Sequence, residues 1–119
     1  MGDIIAQKEI PVLVSDTGYS LYKKLERTSI RLFKESWPDI RSGCINRQSQ
    51  PEMAGTYHRS SDVTSIDEIN LEKMYKAKDL LNIIRARTFP RCTGKYFVEN
   101  GEKKYIRITF LTEDECLRS

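Results

Sequence analysis

Residues 95–110, KYFVENGEKKYIRITF, carry the clearest fold signal in the chain. Apolar and aromatic residues alternate on both sides of Glu99-Asn100-Gly101-Glu102, and Asn-Gly supplies the two positive φ angles of a tight hairpin turn. The pattern predicts an antiparallel β-hairpin with strands at 95–98 and 103–110. A lone hairpin is only marginally stable in water, so we expect it to pack on a helix, join another sheet or pair with a second copy of the chain.

The segment before the hairpin predicts an amphipathic helix of three turns. Ala77, Leu80, Leu81 and Ile84 recur at helical spacing, and the pattern ends before Phe89-Pro90. The hairpin and this helix form the C-terminal region of the chain, residues 71–119. The acidic tail after Thr112 is expected to fray.

Positive charge is concentrated in this region, because residues 71–95 contain seven basic and two acidic side chains. Such an excess points to contacts with an anion such as RNA or a phosphate, and the candidate residues are Lys78, Arg85 and Arg87. The alternative is an ordinary solvated helix face. Because Arg85 and Arg87 are two positions apart, they point to different sides of a helix, and one of them is expected to cap the last helical carbonyls.

The first part of the chain, residues 1–43, predicts one strand followed by one helix. Apolar residues of one parity between Ile4 and Val12 indicate a strand with one buried face. Helical periodicity then runs over about 17–41, with Pro38 expected to bend or restart the helix and Gly43 expected to end it. A single strand lacks partners for its backbone groups, so we expect the other strands of a doubly wound α/β sheet to lie upstream.

Between these regions, residues 44–70 are polar and without periodicity, which indicates an ordered linker. The expected order is therefore strand, helix, linker, helix and hairpin.

Composition narrows the class of protein. The chain has 119 residues, 39% of them hydrophobic, and contains no run near the roughly 20 apolar residues that span a bilayer. Its first residues lack a basic stretch followed by an apolar one, so membrane and secreted classes are not expected. The three cysteines are widely spaced, which favours reduced thiols in the cytoplasm over a disulfide framework or a metal site. With one histidine, no mechanism that needs two imidazoles is expected.

Several stretches taken together resemble the end of the catalytic domain and the C-terminal part of the folate-dependent formyltransferases. The end of that catalytic domain is resembled by the opening stretch Gly2-Asp3-Ile4-Ile5-Ala6-Gln7-Lys8-Glu9-Ile10-Pro11-Val12, followed by Asp16-Thr17-Gly18 and Leu21-Tyr22-Lys23-Lys24-Leu25. The linker motif Gly55-Thr56-Tyr57-His58, the helix at 77–90 and the hairpin at 94–107 follow in the family's order. This group contains methionyl-tRNA formyltransferase and the sugar-nucleotide N-formyltransferases.

The resemblance implies a parent enzyme that moves a formyl group from formyl-tetrahydrofolate to an amine through an Asn, a His and an Asp. In the family that Asp stands just before the stretch that opens here with Met1-Gly2-Asp3, and the Asn and His lie farther upstream. No catalytic or cofactor-binding residue therefore carries over, and no metal ligand is expected. Asp3 and His58 are not expected to substitute, because acid–base catalysis needs an oriented substrate within about 3 Å.

The leading hypothesis is a formyltransferase fragment that is inactive alone, with no cofactor of its own. As acceptor of the parent, a sugar nucleotide is favoured over initiator tRNA, because a helix and a hairpin are too little for a five-stranded tRNA-binding barrel. Two alternatives stay open. One is a small module that forms a homodimer through the hairpin edge, and the other is an RNA-binding segment at residues 71–95.

Overall fold

The computed structural model describes residues 2–51, 55–64 and 66–118. The helices and strands occur in the order α1 (Gly18–Ser42), α2 (Ser60–Thr64), α3 (Ala77–Ala86), β1 (Tyr96–Glu99), β2 (Glu102–Tyr105) and α4 (Glu113–Arg118). The predicted α/β class is confirmed: the helices accompany a two-stranded antiparallel sheet. No helix in this described part of the chain combines the length and apolarity needed to cross a membrane.

The chain forms two compact units. The first comprises residues 1–11 and 22–59, and the second comprises residues 12–21 and 60–119. The division into 1–43, 44–70 and 71–119 expected from the sequence stays a prediction.

The prediction of a strand between Ile4 and Val12 is wrong. The segment is extended, but within the described residues it pairs with another segment at one position, where Ile4 and Gln48 exchange backbone hydrogen bonds of 2.7 and 2.8 Å. A strand needs a continuous neighbour for its ladder, and the described part of this unit supplies none. Lys8 instead anchors the segment to α1 through an ion pair with Glu35 at 3.2 Å.

Helix α1 is confirmed to within one residue at each end. It runs through Pro38 without a restart, and Gly43 follows it with φ +79°, the left-handed conformation that favours glycine after a helix. No described residue of α1 is fully buried. Leu32 and Ile40 are half-buried beside the extended segment, whereas the opposite side of the helix is exposed.

The second unit begins with the turn that starts α1. Thr17 and Ser20 form a reciprocal capping box, because each hydroxyl accepts a hydrogen bond from the other residue's backbone N–H at 2.8 and 3.2 Å. Asp16 is buried and accepts from the Leu13 N–H and the Ser20 hydroxyl, both at 2.8 Å. The Asp-Thr-Gly turn is thus a helix-capping element.

The hairpin is confirmed, with a shorter second strand than predicted. Asn100 and Gly101 adopt φ angles of 52° and 79°, as a two-residue turn requires. Tyr96 faces Tyr105 in the register and Glu99 faces Glu102. Beyond Tyr105, Ile106 still donates its N–H to the Lys95 carbonyl at 2.8 Å, but Ile108 donates to the Thr88 hydroxyl at 3.3 Å and so leaves the ladder.

The expectation of a frayed tail is wrong. Residues Glu113–Arg118 form α4, and a capping box starts it: Thr112 donates its N–H to Glu115, and Glu115 donates its N–H to the Thr112 hydroxyl.

The apolar core of the described chain is small. Ile69 and Ile84 are the only described hydrophobic residues that are buried. The chain exposes 10379 Å² of solvent-accessible surface for a mass of 13.9 kDa. Two compact bodies of half that mass would together expose about 8,000 Å². The chain therefore exposes considerably more surface than two self-sufficient small domains would.

Gly18 has no room for a side chain. A β-carbon at Gly18 would collide with the Ala86 carbonyl oxygen and come within 2.6 Å of the Phe89 ring. We expect Gly18→Ala to lower the free energy of unfolding by about 1–3 kcal/mol, since the backbone oxygen cannot move aside at low cost. Urea denaturation checks this, with Gly55→Ala as the control because nothing lies within 4 Å of that position. Equal stability of the two variants would contradict the close approach.

Candidate dimerisation surface and anion-binding residues

A buried ion cluster joins three segments of the second unit. Both Asp67 carboxylate oxygens accept hydrogen bonds from Arg87, from Nε and Nη2, each at 2.9 Å. Lys95 Nζ lies 3.8 Å from the same carboxylate and donates to the Ile66 carbonyl. The hydrogen bond to Asp67 raises the pKa of Arg87, against the opposing effect of burial. Because Asp67 and Lys95 are about 5% exposed, solvent screens this cluster weakly.

The cluster places the segment at 67–69 alongside β1. Tyr96 donates its N–H to the Asp67 carbonyl at 3.0 Å, and Ile69 donates its N–H to the Tyr96 carbonyl at 2.6 Å, which makes a parallel bridge centred on Glu68. β1 therefore has neighbours on both sides, since β2 pairs with its other edge.

The outer edge of β2 is the open edge of this small sheet. Glu102 and Lys104 point their backbone groups toward β1, because in a two-residue hairpin the pair that flanks the turn is hydrogen-bonded and the pairs then alternate. Lys103 and Tyr105 consequently point their N–H and C=O groups away from β1. No described residue hydrogen-bonds to these outward groups. Unpaired backbone groups of this kind are a template for another strand.

One face of the hairpin carries aromatic rings and a cation. Tyr96 and Tyr105 lie opposite each other with ring centroids 5.6 Å apart, and Lys103 Nζ lies 4.7 Å above the Tyr96 ring. Val98 and Tyr105 on this face are 43% and 50% exposed. Exposed aromatic and β-branched residues beside an open edge are typical of a surface that packs against a partner.

The three candidate anion contacts occupy separate environments. Arg85 donates from Nη1 to the Leu13 and Asp16 carbonyls at 3.0 and 2.8 Å, so it binds the turn that precedes α1. One of Arg85 and Arg87 was expected to cap the end of their own helix. Arg87 is held by Asp67, and Lys78 is exposed on the first turn of α3. The structure does not bring the three side chains together on a shared ligand position, and anion binding by them stays a prediction.

The ion cluster was missed by sequence reasoning. Asp67 lies within the stretch interpreted as a linker, and its partners are 20 and 28 positions away in the sequence. The available signal was the pair of isoleucines that flank two acidic residues in Ile66-Asp67-Glu68-Ile69. This stretch is too short to distinguish a strand bridge from a loop.

The described residues do not bring together the other residues considered as candidates for catalysis, metal binding or disulfide formation. No group of three or more potential metal ligands is present in them. His58 and Asp3 are both exposed. Cys44, Cys92 and Cys116 are exposed as well, and the described residues contain no disulfide.

Comparison with known proteins gives this arrangement a context. Residues 62–113 match the family described as N-formyltransferase dimerization C-terminal domain. That range holds the ion cluster, α3 and the whole hairpin. The chain corresponds to the C-terminal portion of formyltransferases. The resemblance inferred from the sequence is confirmed.

The relatives include both acceptor classes. The methionyl-tRNA formyltransferase of Lactobacillus johnsonii is 31% identical over 102 residues, which cover 86% of this chain and 31% of that protein. The dTDP-4-amino-4,6-dideoxyglucose formyltransferase of Mycobacterium tuberculosis is 27% identical over 113 residues, or 94% of this chain and 48% of that enzyme. The chain thus spans less than half the length of these formyltransferases.

Solved structures of similar fold are formyltransferases, and one of the two compared below is named as a sugar N-formyltransferase. A 4-N formyltransferase from Francisella tularensis superposes with a TM-score of 0.84 at 27% identity, over 93% of this chain and 46% of that one. A sugar N-formyltransferase from Shewanella superposes with a TM-score of 0.80 at 25% identity, over 94% and 46%.

Removing the Asp67 charge should destabilise the second unit. Asp67→Asn leaves the Arg87 and Lys95 cations without their carboxylate, so we expect the free energy of unfolding to fall by about 3 kcal/mol. Glu102→Gln is the matched control, because it breaks an exposed ion pair with Lys104 (3.1 Å) and should cost less than about 1 kcal/mol. Urea denaturation of both variants tests this, and an Asp67→Asn protein as stable as the control would show that the cluster does not hold the unit together.

Proposed function

We propose that this chain is the dimerising C-terminal part of a formyltransferase, and that the parent transfers a formyl group from formyl-tetrahydrofolate to the amine of a sugar nucleotide. The observation that carries the proposal is the open β2 edge within a segment that matches a dimerisation domain. We further propose that the chain alone is not an active enzyme and that it resides in the cytoplasm, where its exposed thiols would stay reduced.

The choice of a sugar nucleotide as acceptor rests on the size of the second unit. Its described sheet has two strands and one bridging segment, which is far from the closed five-stranded barrel expected of a tRNA-binding domain. One of the similar solved structures is described as a sugar N-formyltransferase, which favours the same acceptor class. An initiator tRNA is the alternative that the Lactobacillus relative keeps open.

The proposed homodimer pairs β2 with the β2 strand of a second copy about a two-fold axis. In each symmetric register, one residue at the two-fold axis lies opposite the same residue of the second copy. If that residue is Lys103, Lys104 or Arg107, two cations of the same type face each other, and if it is Tyr105, Lys103 faces Arg107. Like charges directly opposite each other are destabilising in a sheet.

Among the registers centred on residues 103–107, the one that remains places Ile106 opposite the Ile106 of the second copy. Tyr105 then faces the Arg107 of the second copy, a favourable aromatic–cation neighbour, and Lys104 faces Ile108. No like charges are opposed, and the outward backbone groups of Tyr105 find partners. We therefore propose a two-fold axis at Ile106.

Cysteine cross-linking tests this register. In a background with all three native cysteines changed to Ser, we expect Ile106→Cys to form a disulfide-linked dimer under mild oxidation. Directly opposed residues of a non-hydrogen-bonded pair have Cα atoms about 4.5 Å apart, within disulfide range. Non-reducing gel electrophoresis measures the linked fraction.

Lys104→Cys is the matched control, because it would occupy the same kind of position if the axis lay at Lys104. Preferential linking of Lys104→Cys would contradict the proposed register. Linking of neither variant at concentrations where the chain is dimeric would contradict the registers centred on Ile106 and on Lys104.

Folate binding is expected to distinguish this chain from the full-length parent enzyme. Because none of the Asn, His and Asp residues implied for the parent maps onto this chain, we expect titration of a reduced folate into the full chain to give no saturable signal by calorimetry. Saturable binding in the micromolar range would contradict the proposal that the chain lacks the cofactor site.

A further inference from the structure

A cavity of about 400 Å³ lies within the second unit. Its walls come from the turn that starts α1, the turn after α3 and the segment that follows β2, at residues 15–20, 88–90 and 107–110. Sites for small molecules usually measure about 300–1,000 Å³, so the volume of this cavity falls in their range.

Thr88 holds the three walls of this cavity together. It is buried, and its carbonyl accepts a hydrogen bond of 3.1 Å from the Tyr19 N–H. Its hydroxyl donates to the Ile84 carbonyl at 2.8 Å and accepts from the Ile108 N–H at 3.3 Å. One buried residue therefore ties the start of α1 and the segment after β2 to the end of α3. The cavity is formed before any ligand arrives, as is usual for small-molecule sites.

Most of the cavity wall is apolar, and part of it is aromatic. Tyr19 and Phe110 contribute rings, and Pro90 and Ile108 contribute aliphatic surface. Tyr19 is 39% exposed, and Ile108 and Phe110 are half-buried, so each retains surface that a ligand can cover. Aromatic rings that pack offset or edge-on attract each other beyond the effect of the area they bury. These walls therefore suit a ligand with a planar ring.

The polar part of the lining favours an anion. Among the described residues that line the cavity, Arg107 is the one charged side chain and none is acidic. Its Nη2 donates to the Cys92 carbonyl at 3.1 Å, and its other donors make no hydrogen bond within the described chain. The hydroxyls of Ser15 and Thr109 make none there either. One guanidinium and two hydroxyls match the three terminal oxygens of a phosphate monoester.

The backbone at the start of α1 takes no part in this preference. Thr17 and Ser20 each donate their N–H to the other's hydroxyl, and the Tyr19 N–H is bonded to Thr88. These amides are already satisfied. Recognition of an anion in the cavity therefore depends on side chains, which substitutions can remove one at a time.

We propose that this cavity binds a small phosphate monoester that carries a planar ring. The ring packs against Tyr19 and Phe110, and the phosphate accepts hydrogen bonds from Arg107, Ser15 and Thr109. Nucleoside monophosphates and simple aryl phosphates share this chemistry. The inference rests neither on formyl transfer nor on pairing through β2.

Titration of the full chain with phenyl phosphate tests the proposal, with proton–nitrogen correlation NMR as the readout. We expect saturable shifts of the Tyr19 and Ile108 amides and of the Arg107 Nε–H. Inorganic phosphate and phenol should each bind at least about tenfold more weakly, because one lacks the ring and the other lacks the anion. Thymidine monophosphate is titrated in parallel. Tighter binding of thymidine monophosphate identifies a nucleotide as the ligand, and tighter binding of phenyl phosphate identifies a simple aryl phosphate.

Substitutions locate the binding. Arg107→Met should weaken the binding of phenyl phosphate at least about tenfold, because it removes charge-assisted hydrogen bonds. The matched control is Lys104→Met, which removes an exposed cation of β2 that does not line the cavity and should change the affinity less than about twofold. Ser15→Ala and Thr109→Val each remove one exposed hydroxyl and should also weaken binding, so they keep the proposal testable if Arg107→Met does not fold.

Three results would overturn the proposal. The first is the absence of saturable shifts at millimolar phenyl phosphate. The second is binding of inorganic phosphate as tightly as phenyl phosphate, which would show that no ring is recognised. The third is an equal loss of affinity in Lys104→Met and Arg107→Met, which would assign the binding to the general positive charge of the surface. None of these outcomes depends on cross-linking at Ile106 or on folate titration, so failure here and failure of the proposed function are distinguishable.

Discussion

The arrangement of the second unit depends on one buried carboxylate. Asp67 binds Arg87 through both oxygens and lies near Lys95, so a single side chain joins the segment before α3, the end of α3 and the start of the hairpin. These contacts substitute for an apolar core that amounts, among the described residues, to Ile69 and Ile84. A polar clamp of this kind fixes geometry more than it adds stability, since desolvation of the ions offsets much of their attraction.

The clamp also decides which edge of the sheet is available. The clamp holds residues 67–69 against the edge of β1 that faces away from β2, so that edge is occupied. The outward N–H and C=O groups of Lys103 and Tyr105 then form the open edge of the sheet on β2. The dimer that we propose through the hairpin would therefore depend on a contact that lies away from the interface itself. This explains how a hairpin that would be marginal alone can serve as an assembly surface.

Local signals in the sequence predicted the elements that local chemistry determines. Asn100-Gly101 specified the turn, and the apolar spacing between Gly18 and Ser42 specified α1. The strand near Ile4 was not realised, because alternation predicts an exposed and a buried face but cannot supply the neighbouring strand. Helix α4 was missed although Thr112 and Glu115 have capping-box spacing, because the acidic composition of the tail was given more weight. The Asp67 cluster could not be predicted, since nothing local distinguishes Arg87 from the other cations around it.

Large exposed apolar side chains occur in both units of the chain, among them Trp37 in the first unit and Met74 and Leu117 in the second. The β2 edge presents outward backbone groups beside the Tyr96 and Tyr105 rings, whereas α1 exposes the stacked rings of Phe33 and Trp37. These two surfaces lie in separate units of the chain.

Amide hydrogen exchange at Lys103 and Tyr105 tests the central claim most directly. If the β2 edge pairs with a second copy, these two outward N–H groups exchange slowly in concentrated solution and quickly on dilution, while the inward N–H of Lys104 stays protected throughout. Fast exchange at Lys103 and Tyr105 at every concentration, with the hairpin intact, would contradict assembly through this edge.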